Sequence, residues 1–428
     1  MKLQTEISHA HDNLADPGEA ALQFMQMTAR LLLEYSTRAE VLKRQIDRLS
    51  KHFGAKVLTV VGYRDVTLLT ADNRSFHAQV PELRMDVAVG SGMLRLIDDL
   101  CANQIGLDEA KRRLQILECT PPQHAPWLVP VIFGIAASAL AWLLRADWGA
   151  IAVSGASAGL GLVARRELGK RHVMFFALPF AAALIGAVLG GIVIRLGLTE
   201  TPGFCLLVPA LMLVPGPHLI HSIQNALENH MQAAVNRLVL AVSILVAAGV
   251  GILLGTRLTL GSMMVHMVPS AEMQLTLPLD VTLAGLAACG FGAFYNSPWR
   301  VLWVSILCGM VGHGIRYVSM SQGVSQEIAT LVACLAIGLV AELAAYRLRL
   351  PFAAIAFAGA VPMMPGVFLY ESFAGAVRMA AAGSAVDPTL AATTMTLSLR
   401  AAFVVGAMAI GLLAGARIAA IGRPPATA

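Results

Sequence analysis

LVPGPHLIHSIQN, residues 213–225, interrupts an apolar segment that begins near Gly203. Its Pro-Gly-Pro run (215–217) cannot continue an α-helix, because both prolines lack an N–H donor and the glycine is free to unwind. Four polar residues follow at positions i, i+3, i+4 and i+7 of one helical face: His218, His221, Ser222 and Asn225. The stretch predicts a broken helix with a polar stripe, which a membrane tolerates only where the stripe faces protein or water.

The composition of the whole chain indicates that this segment crosses a membrane. The 428 residues are 57% hydrophobic and 13% charged, with a mean hydropathy of +0.69, whereas ordinary globular domains carry about 25% charged residues. Most charges lie in residues 1–122, and the remainder is apolar with charges at short joints. We therefore predict a soluble α+β domain at 1–122 and membrane modules at 123–275 and 276–428.

Charge and cysteine patterns exclude several classes of protein. Residues 1–19 are polar and unlike a signal peptide, so the N-terminal domain is expected in the cytoplasm. The net charge of +5 has no basic-aromatic cluster beside it, and we expect no nucleic-acid partner. Six cysteines without C-x-x-C spacing are expected to be reduced thiols. No cofactor or metal is expected, although His218 and His221 could ligate a metal with Glu228 or His230.

The N-terminal domain is predicted to contain helices around one small sheet. Two helices between Pro17 and Leu49 are expected to meet near Ser36. Residues 56–62, 66–70 and 75–80 predict a meander of three strands. Two further helices are predicted at 91–104 and 107–118, the second with Asp108 as its N-cap. The domain contains no nucleotide-binding loop, metal spacing or nucleophile motif, so its ligand is not predicted.

The rest of the chain reads as an α-helical polytopic membrane protein with about ten transmembrane helices. Several of these spans are shorter than the roughly 20 residues needed to cross a bilayer upright, so tilt must make up the length. The predicted spans are residues 127–144, 148–164, 173–194, 203–224, 236–256, 279–296, 299–315, 327–345, 351–371 and 397–416.

The first five spans resemble the second five. Four stretches match in order, at offsets of 151, 152, 150 and 160 residues: 147–165 with 298–316, 184–198 with the stretch from Ala336, 213–222 with 363–372, and 251–258 with 411–418. One insertion, near 383–389, accounts for the last offset. Because each copy has an odd number of spans, the second copy starts from the opposite side of the membrane. The sequence therefore predicts two inverted five-helix repeats.

The charges at the joints agree with a cytoplasmic N-terminus. The inner joints would carry most of the basic residues, namely Arg165, Arg166, Lys170, Arg171, Arg300, Arg347, Arg349 and Arg423. The outer joints keep single arginines, namely Arg145, Arg257 and Arg378. Equivalent arginines of the two copies, such as Arg165 and Arg316, then lie on opposite faces, as inversion requires.

Matching breaks in inverted repeats are typical of secondary transporters. Each break, Pro215-Gly216 and Pro365-Gly366, starts a half-helix whose free N–H groups favour an anion near the midplane. The second half-helix carries three polar residues, Tyr370, Glu371 and Ser372. Glu371 is the best candidate for proton coupling or for binding an ammonium group, and His221 could also carry a proton.

Simpler interpretations of these residues stay open. Pro-Gly could be a plain kink, and Glu371 could reach solvent at the outer interface. Glu342 is expected to snorkel or to pair with an arginine, and nothing specific supports a role for His313 in the path.

These motifs resemble the bacterial threonine/serine exporter family from about Ala29 to Arg417. The most specific part is 213–238, where Pro215, Gly216 and Arg237 match the family pattern. Asn225 stands where the family has an aspartate, and the glycines of the following turn are Asn229 and Ala234. In the second module, the Pro-x-x-Pro-Gly pattern is met by Pro362, Pro365 and Gly366.

The resemblance implies proton-driven export of small amino acids such as threonine and serine across the bacterial inner membrane. It also leaves a dicarboxylate such as succinate as an alternative substrate, because Asn225 removes an acid that could bind an ammonium group. A passive channel for small organic anions is a further alternative. An enzyme is not expected, since HLIHSIQNALENH (218–230) is a single histidine box and a di-iron site needs several. The sequence leaves a homo-oligomer open.

Overall fold

The computed structural model describes residues 17–35, 37–171, 173–261 and 267–421, and it is mostly helical. The N-terminal unit contains α1 (Pro17–Glu34), α2 (Ala39–His52), β1 (Val57–Val61), β2 (Asp65–Thr70), β3 (Ser75–Gln79), α3 (Val87–Cys101) and α4 (Leu107–Glu118). The strands form an antiparallel sheet in the order β1-β2-β3, with Val61 opposite Val66. The predicted meander and the four predicted helices are confirmed.

The N-terminal unit has a hydrophobic core of its own. Apolar residues of the helices, such as Phe24, Leu42 and Leu96, pack together with Val66 and Leu68 of β2. Side chains alternate along a strand, so residues between these positions face away from the core. The sheet thus has one covered face, and the helices supply the cover.

Two details of this unit differ from prediction. Helix α3 begins at Val87, because Asp86 caps it by accepting a hydrogen bond from the Val89 N–H at 2.9 Å. The N-cap of α4 is Gly106, so the prediction of Asp108 was wrong. Asp108 lies instead in the first turn, where a carboxylate still favours the positive end of the helix. Ser36 and Arg423 lie outside the described residues.

The remaining helices carry the apolar sequence. They are α5 (Leu128–Leu143), α6 (Trp148–Lys170), α7 (Ala177–Arg195), α8 (Pro202–Leu211), α9 (Gly216–Leu227), α10 (Met231–Leu260), α11 (Leu277–Phe294), α12 (Trp299–Ser321), α13 (Gln326–Leu348), α14 (Phe352–Ala360), α15 (Gly366–Ala382) and α16 (Pro388–Ala420). Each predicted span overlaps one of these helices or one bent pair. The chain is a polytopic membrane protein.

Fewer than ten of these segments meet a length and hydropathy criterion for spanning. In the described part of the chain six helices do so, and two bent pairs raise the number to eight. The apolar helix α5 has only 16 residues, and α6 is long enough but its hydropathy is lowered by the three glycines and one serine of GASAGLG (155–161). All six cysteines are free, as predicted.

Both predicted breaks are present. Helices α8 and α9 form one bent pair, with an angle of 59° between them, and α14 and α15 form the other, with an angle of 63°. Pro215 and Pro365 are the residues just before α9 and α15, and no side chain caps either start. The first N–H groups of both half-helices therefore lack intrahelical acceptors.

Glycines let two pairs of helices approach backbone to backbone. Gly251 and Gly255 of α10 face the carbonyl oxygens of Phe180 and Leu184 of α7. In the same way, Gly411 and Gly415 of α16 face the carbonyl oxygens of Leu331 and Leu335 of α13. The glycines lie in the matched stretches 251–258 and 411–418, 160 residues apart, and the carbonyls they face are 151 residues apart on α7 and α13, so corresponding helices make similar contacts.

We expect Gly415→Ala to disrupt folding, whereas Gly406→Ala on the same helix should not. A Cβ at Gly415 would overlap the carbonyl oxygen of Leu335, and backbone cannot move aside cheaply. A Cβ at Gly406 meets no atom within 4 Å, so alanine there gains only helix propensity. The measurement is the thermal midpoint of the two purified variants in detergent. Equal midpoints would contradict this packing.

The N-terminal unit packs against one end of the membrane helices. The Asn296 Nδ2 donates to the Asp86 carboxylate at 2.7 Å, and the Val87 N–H donates to the Tyr295 carbonyl at 2.9 Å. Arg349, just after α13, pairs with Asp98 and Asp99 at 3.6 and 3.5 Å. These contacts hold the unit beside the joints that were predicted to be cytoplasmic.

Candidate functional site

The two breaks lie against each other. A Cβ added to Gly216 would be 3.3 Å from Met364 Cε, and one added to Gly366 would be 3.3 Å from Val214 Cγ2. The Tyr370 hydroxyl of α15 donates to the Ala210 carbonyl at the end of α8, at 3.1 Å. Two segments 150 residues apart in sequence therefore form one local structure.

A buried imidazole–guanidinium pair follows the first break. The Arg237 Nη1 of α10 donates to the His221 Nδ1 of α9 at 2.8 Å, and the two residues are 3% and 0% exposed. Arginine has no acceptor, so the Nδ1 must accept and the ring must be neutral, with its proton on Nε2. The His221 Nε2 is buried and has no hydrogen-bond partner. It is an N–H donor available to a ligand. The ring also packs edge-on against Phe357 of α14, at 4.7 Å between centroids.

More unpartnered polar atoms lie on the same helix. The side-chain oxygen and nitrogen of Gln224, the Asn225 Oδ1 and the His218 Nδ1 are all buried without a hydrogen-bond partner. Native proteins leave few buried polar groups unpaired, so such a cluster calls for an explanation. Ser222 differs, because its hydroxyl donates to the Ala234 carbonyl at 2.7 Å. These unpartnered atoms include hydrogen-bond donors and acceptors. A ligand that carries a carboxylate together with an ammonium or hydroxyl group would require both.

The polar residues of the second half-helix are mostly engaged with backbone. Tyr370 is buried and binds Ala210, and the Ser372 hydroxyl donates to the Phe368 carbonyl of its own helix at 2.6 Å. Glu371 is half-buried. The polar side chains that could bind a ligand near the two breaks therefore lie mainly on α9, together with Arg237 of α10.

A second buried cluster was missed by sequence reasoning. The His313 ring of α12 and the Asp280 carboxylate of α11 are hydrogen-bonded, Nδ1 to Oδ1, at 2.8 Å, and the residues are 7% and 6% exposed. The other ring nitrogen of His313 and the Nε of nearby Arg316 are buried and unpartnered. An acid inside a predicted span was the available signal, and it applied to Asp280 as well as to Glu371.

Glu228, just after α9, was considered only as a metal ligand, and its partner was not foreseen. The Arg38 Nη1 of the N-terminal unit donates to the Glu228 Oε1 at 3.1 Å. The two residues are 190 positions apart, beyond the reach of any local pattern. In the described part of the chain, no three His, Cys, Asp or Glu residues are arranged to hold a metal ion.

Two family models match the chain. A threonine/serine exporter model matches residues 23–259, and a second, described as Threonine/Serine exporter, ThrE, matches residues 280–418. The first covers the N-terminal unit and the helices through α10, and the second covers α11 to α16. A comparison with solved structures finds no match. The two family matches together span both breaks and both buried clusters, and the chain belongs to the threonine/serine exporter family.

Proposed function

We propose that this protein exports small amino acids, threonine and serine, across the bacterial inner membrane, coupled to the proton gradient. The observation that carries the proposal is the face of α9 behind the first break. There, His221, Gln224 and Asn225 present unpartnered buried polar atoms next to Arg237. A site of this kind in a membrane segment marks a substrate path.

The proposed organisation has a cytoplasmic domain at 1–122 and inverted five-span modules at 123–275 and 276–428. The matching glycine contacts of α10 with α7 and of α16 with α13 support the repeat. The short helix α5 and the small-residue-rich helix α6 would complete the first module by tilting or by burial among neighbours. The separate core of residues 22–117 supports an N-terminal domain outside the membrane.

The substrate carboxylate binds where positive groups converge. The His221 Nε2–H donates to it, the Arg237 guanidinium supplies charge, and the starts of α9 and α15, behind Pro215-Gly216 and Pro365-Gly366, add their dipoles. Amide oxygens of Gln224 and Asn225 accept from the ammonium or hydroxyl group. His218, Ser222, Tyr370, Glu371 and Ser372 complete the path along the two half-helices.

Asp280 and His313 carry the coupled proton in this proposal. Their hydrogen bond and burial support the assignment, because a proton on a buried acid–base pair is held away from bulk water until a conformational change exposes it. Glu371 then lines the substrate path beside the second break. In this scheme Asp280 carries the proton and Glu371 contacts the substrate path.

The test of the proposed function is efflux from proteoliposomes loaded with threonine, serine or succinate. We expect threonine and serine efflux to rise when an inward proton gradient is imposed, with little succinate efflux. Preferred succinate efflux would identify a dicarboxylate exporter instead. Flux that ignores the gradient would identify a channel.

A further inference from the structure

A cavity of about 570 Å³ lies between the N-terminal unit and the adjoining ends of the membrane helices. Its volume falls within the usual range for small-molecule sites. The N-terminal unit contributes Arg38, the N-cap of α2, and Glu40 of that helix, while Glu228, Glu342 and Phe352 come from the membrane side. The lining thus mixes both signs of charge with apolar surface, as a small zwitterion requires.

Glu228 is the buried acid of this cavity, with a side chain only 5% exposed. Its Oε1 accepts from Arg38 at 3.1 Å and lies 3.5 Å from the Arg417 guanidinium. Its Oε2 is buried and has no hydrogen-bond partner among the residues that the structure describes. A buried carboxylate oxygen without a donor is costly, and an ammonium group would satisfy it.

Arg38 connects the N-terminal unit to both broken segments. Besides its bond to Glu228 at the end of α9, its guanidinium lies 5.9 Å from the ring centroid of Phe352, the first residue of α14. Burial lowers the pKa of the Arg38 guanidinium, and the facing Glu228 carboxylate opposes that change. One side chain thus holds the near ends of the two segments whose breaks form the site.

Glu228 also lies on the polar face that leads to the site. Asn225 and His221 precede it by three and seven residues, so the three side chains follow one another along α9. With a rise of 1.5 Å per residue, Glu228 is about 10 Å along the helix from His221. A ligand that leaves Glu228 meets Asn225 and then the His221 Nε2.

We propose that this cavity is the entrance site for a small α-amino acid, in which Glu228 binds the ammonium group and Arg38 occupies the same carboxylate until the substrate displaces it. The inference rests on the proposed function and names the acid that recognises the substrate. One cation replaces another on Glu228, so this carboxylate keeps a positive partner throughout the exchange. A dicarboxylate offers no ammonium group and cannot make this exchange.

The experiment measures binding of radiolabelled L-threonine to the purified full-length protein in nanodiscs. We expect Glu228→Gln to weaken binding about 10- to 100-fold, which corresponds to the loss of one charge-assisted hydrogen bond. We expect Arg38→Gln to tighten binding severalfold, because it frees Glu228 and raises the binding-competent fraction. Arg349→Gln, which removes a different ion pair between the unit and the membrane helices, is the matched control and should bind as the wild type does.

The two variants are expected to change threonine affinity in opposite directions, which a purely structural ion pair would not do. Weaker binding in both variants, or no change in either, would overturn the inference. If Glu228→Gln does not fold, the direction of the change in Arg38→Gln decides alone. If the wild type binds threonine and Glu228→Gln binds it with the same affinity, this inference fails but the proposed function stands. If the wild type binds succinate and no threonine, the proposed function fails as well.

Discussion

Replacing Arg237 with methionine should lower threonine export about 10- to 100-fold. The guanidinium is 3% exposed and is the donor to the His221 Nδ1 at 2.8 Å. Methionine fills similar space but leaves that nitrogen without a donor and removes the positive charge beside His221. Losing a hydrogen bond from a charged donor costs about 1.5–3 kcal/mol, and each 1.4 kcal/mol is about a factor of ten.

The matched control for this variant is Arg257→Met. Arg257 lies on the same helix, is exposed, and donates to the Gly261 carbonyl at the helix end. Its replacement should leave export within about twofold of wild type, since surface substitutions cost little. Both variants are compared by efflux from proteoliposomes at equal amounts of folded protein. If Arg237→Met exports threonine at nearly the wild-type rate, Arg237 is not part of the substrate site.

Replacing Asp280 with asparagine should abolish the response to the proton gradient without abolishing substrate movement. Asparagine keeps the shape of the side chain but cannot gain or lose a proton, so the pair with His313 loses its acid. Exchange of labelled for unlabelled threonine requires no net proton transfer and should continue. We therefore expect gradient-driven export to fall to the level seen without a gradient, while exchange stays within about threefold of wild type.

Glu371→Gln is the comparison that locates the coupling acid. Glu371 is half-buried, whereas Asp280 is 6% exposed and hydrogen-bonded to an imidazole. We expect Glu371→Gln to retain the gradient response. Loss of coupling in Glu371→Gln with full coupling in Asp280→Asn would transfer the proton role to Glu371, which was the assignment that sequence alone favoured.

Much of the fold could be predicted because its signals are local. Strand alternation located β1 to β3, and apolar runs located every membrane helix, although α15 and α16 extend well beyond the predicted spans. The Pro-Gly dipeptides at 215–216 and 365–366 located both bends, since proline ends a helix wherever the helix occurs. The count of spans was harder to predict, because α5 is short and α6 is rich in small residues. Length and hydropathy support six to eight spans, while ten stays a prediction.

Only part of the candidate site could be predicted from the sequence. The polar face of α9 follows from spacing, and it located His221, Ser222 and Asn225 correctly on one buried surface. Which of those atoms are engaged was not predictable: Ser222 is satisfied by a carbonyl of the next helix, whereas the His221 Nε2 is left open. That distinction depends on distances of a few tenths of an ångström between helices.

By itself the sequence determined the membrane class, the positions of the helices and the two breaks, since each depends on neighbours within a few residues. Only the tertiary structure decided which charged groups meet. The pairs His221–Arg237, Asp280–His313 and Arg38–Glu228 join residues 16, 33 and 190 positions apart. Helix packing brings them together, and the cost of burying each polar group alone makes the pairing necessary.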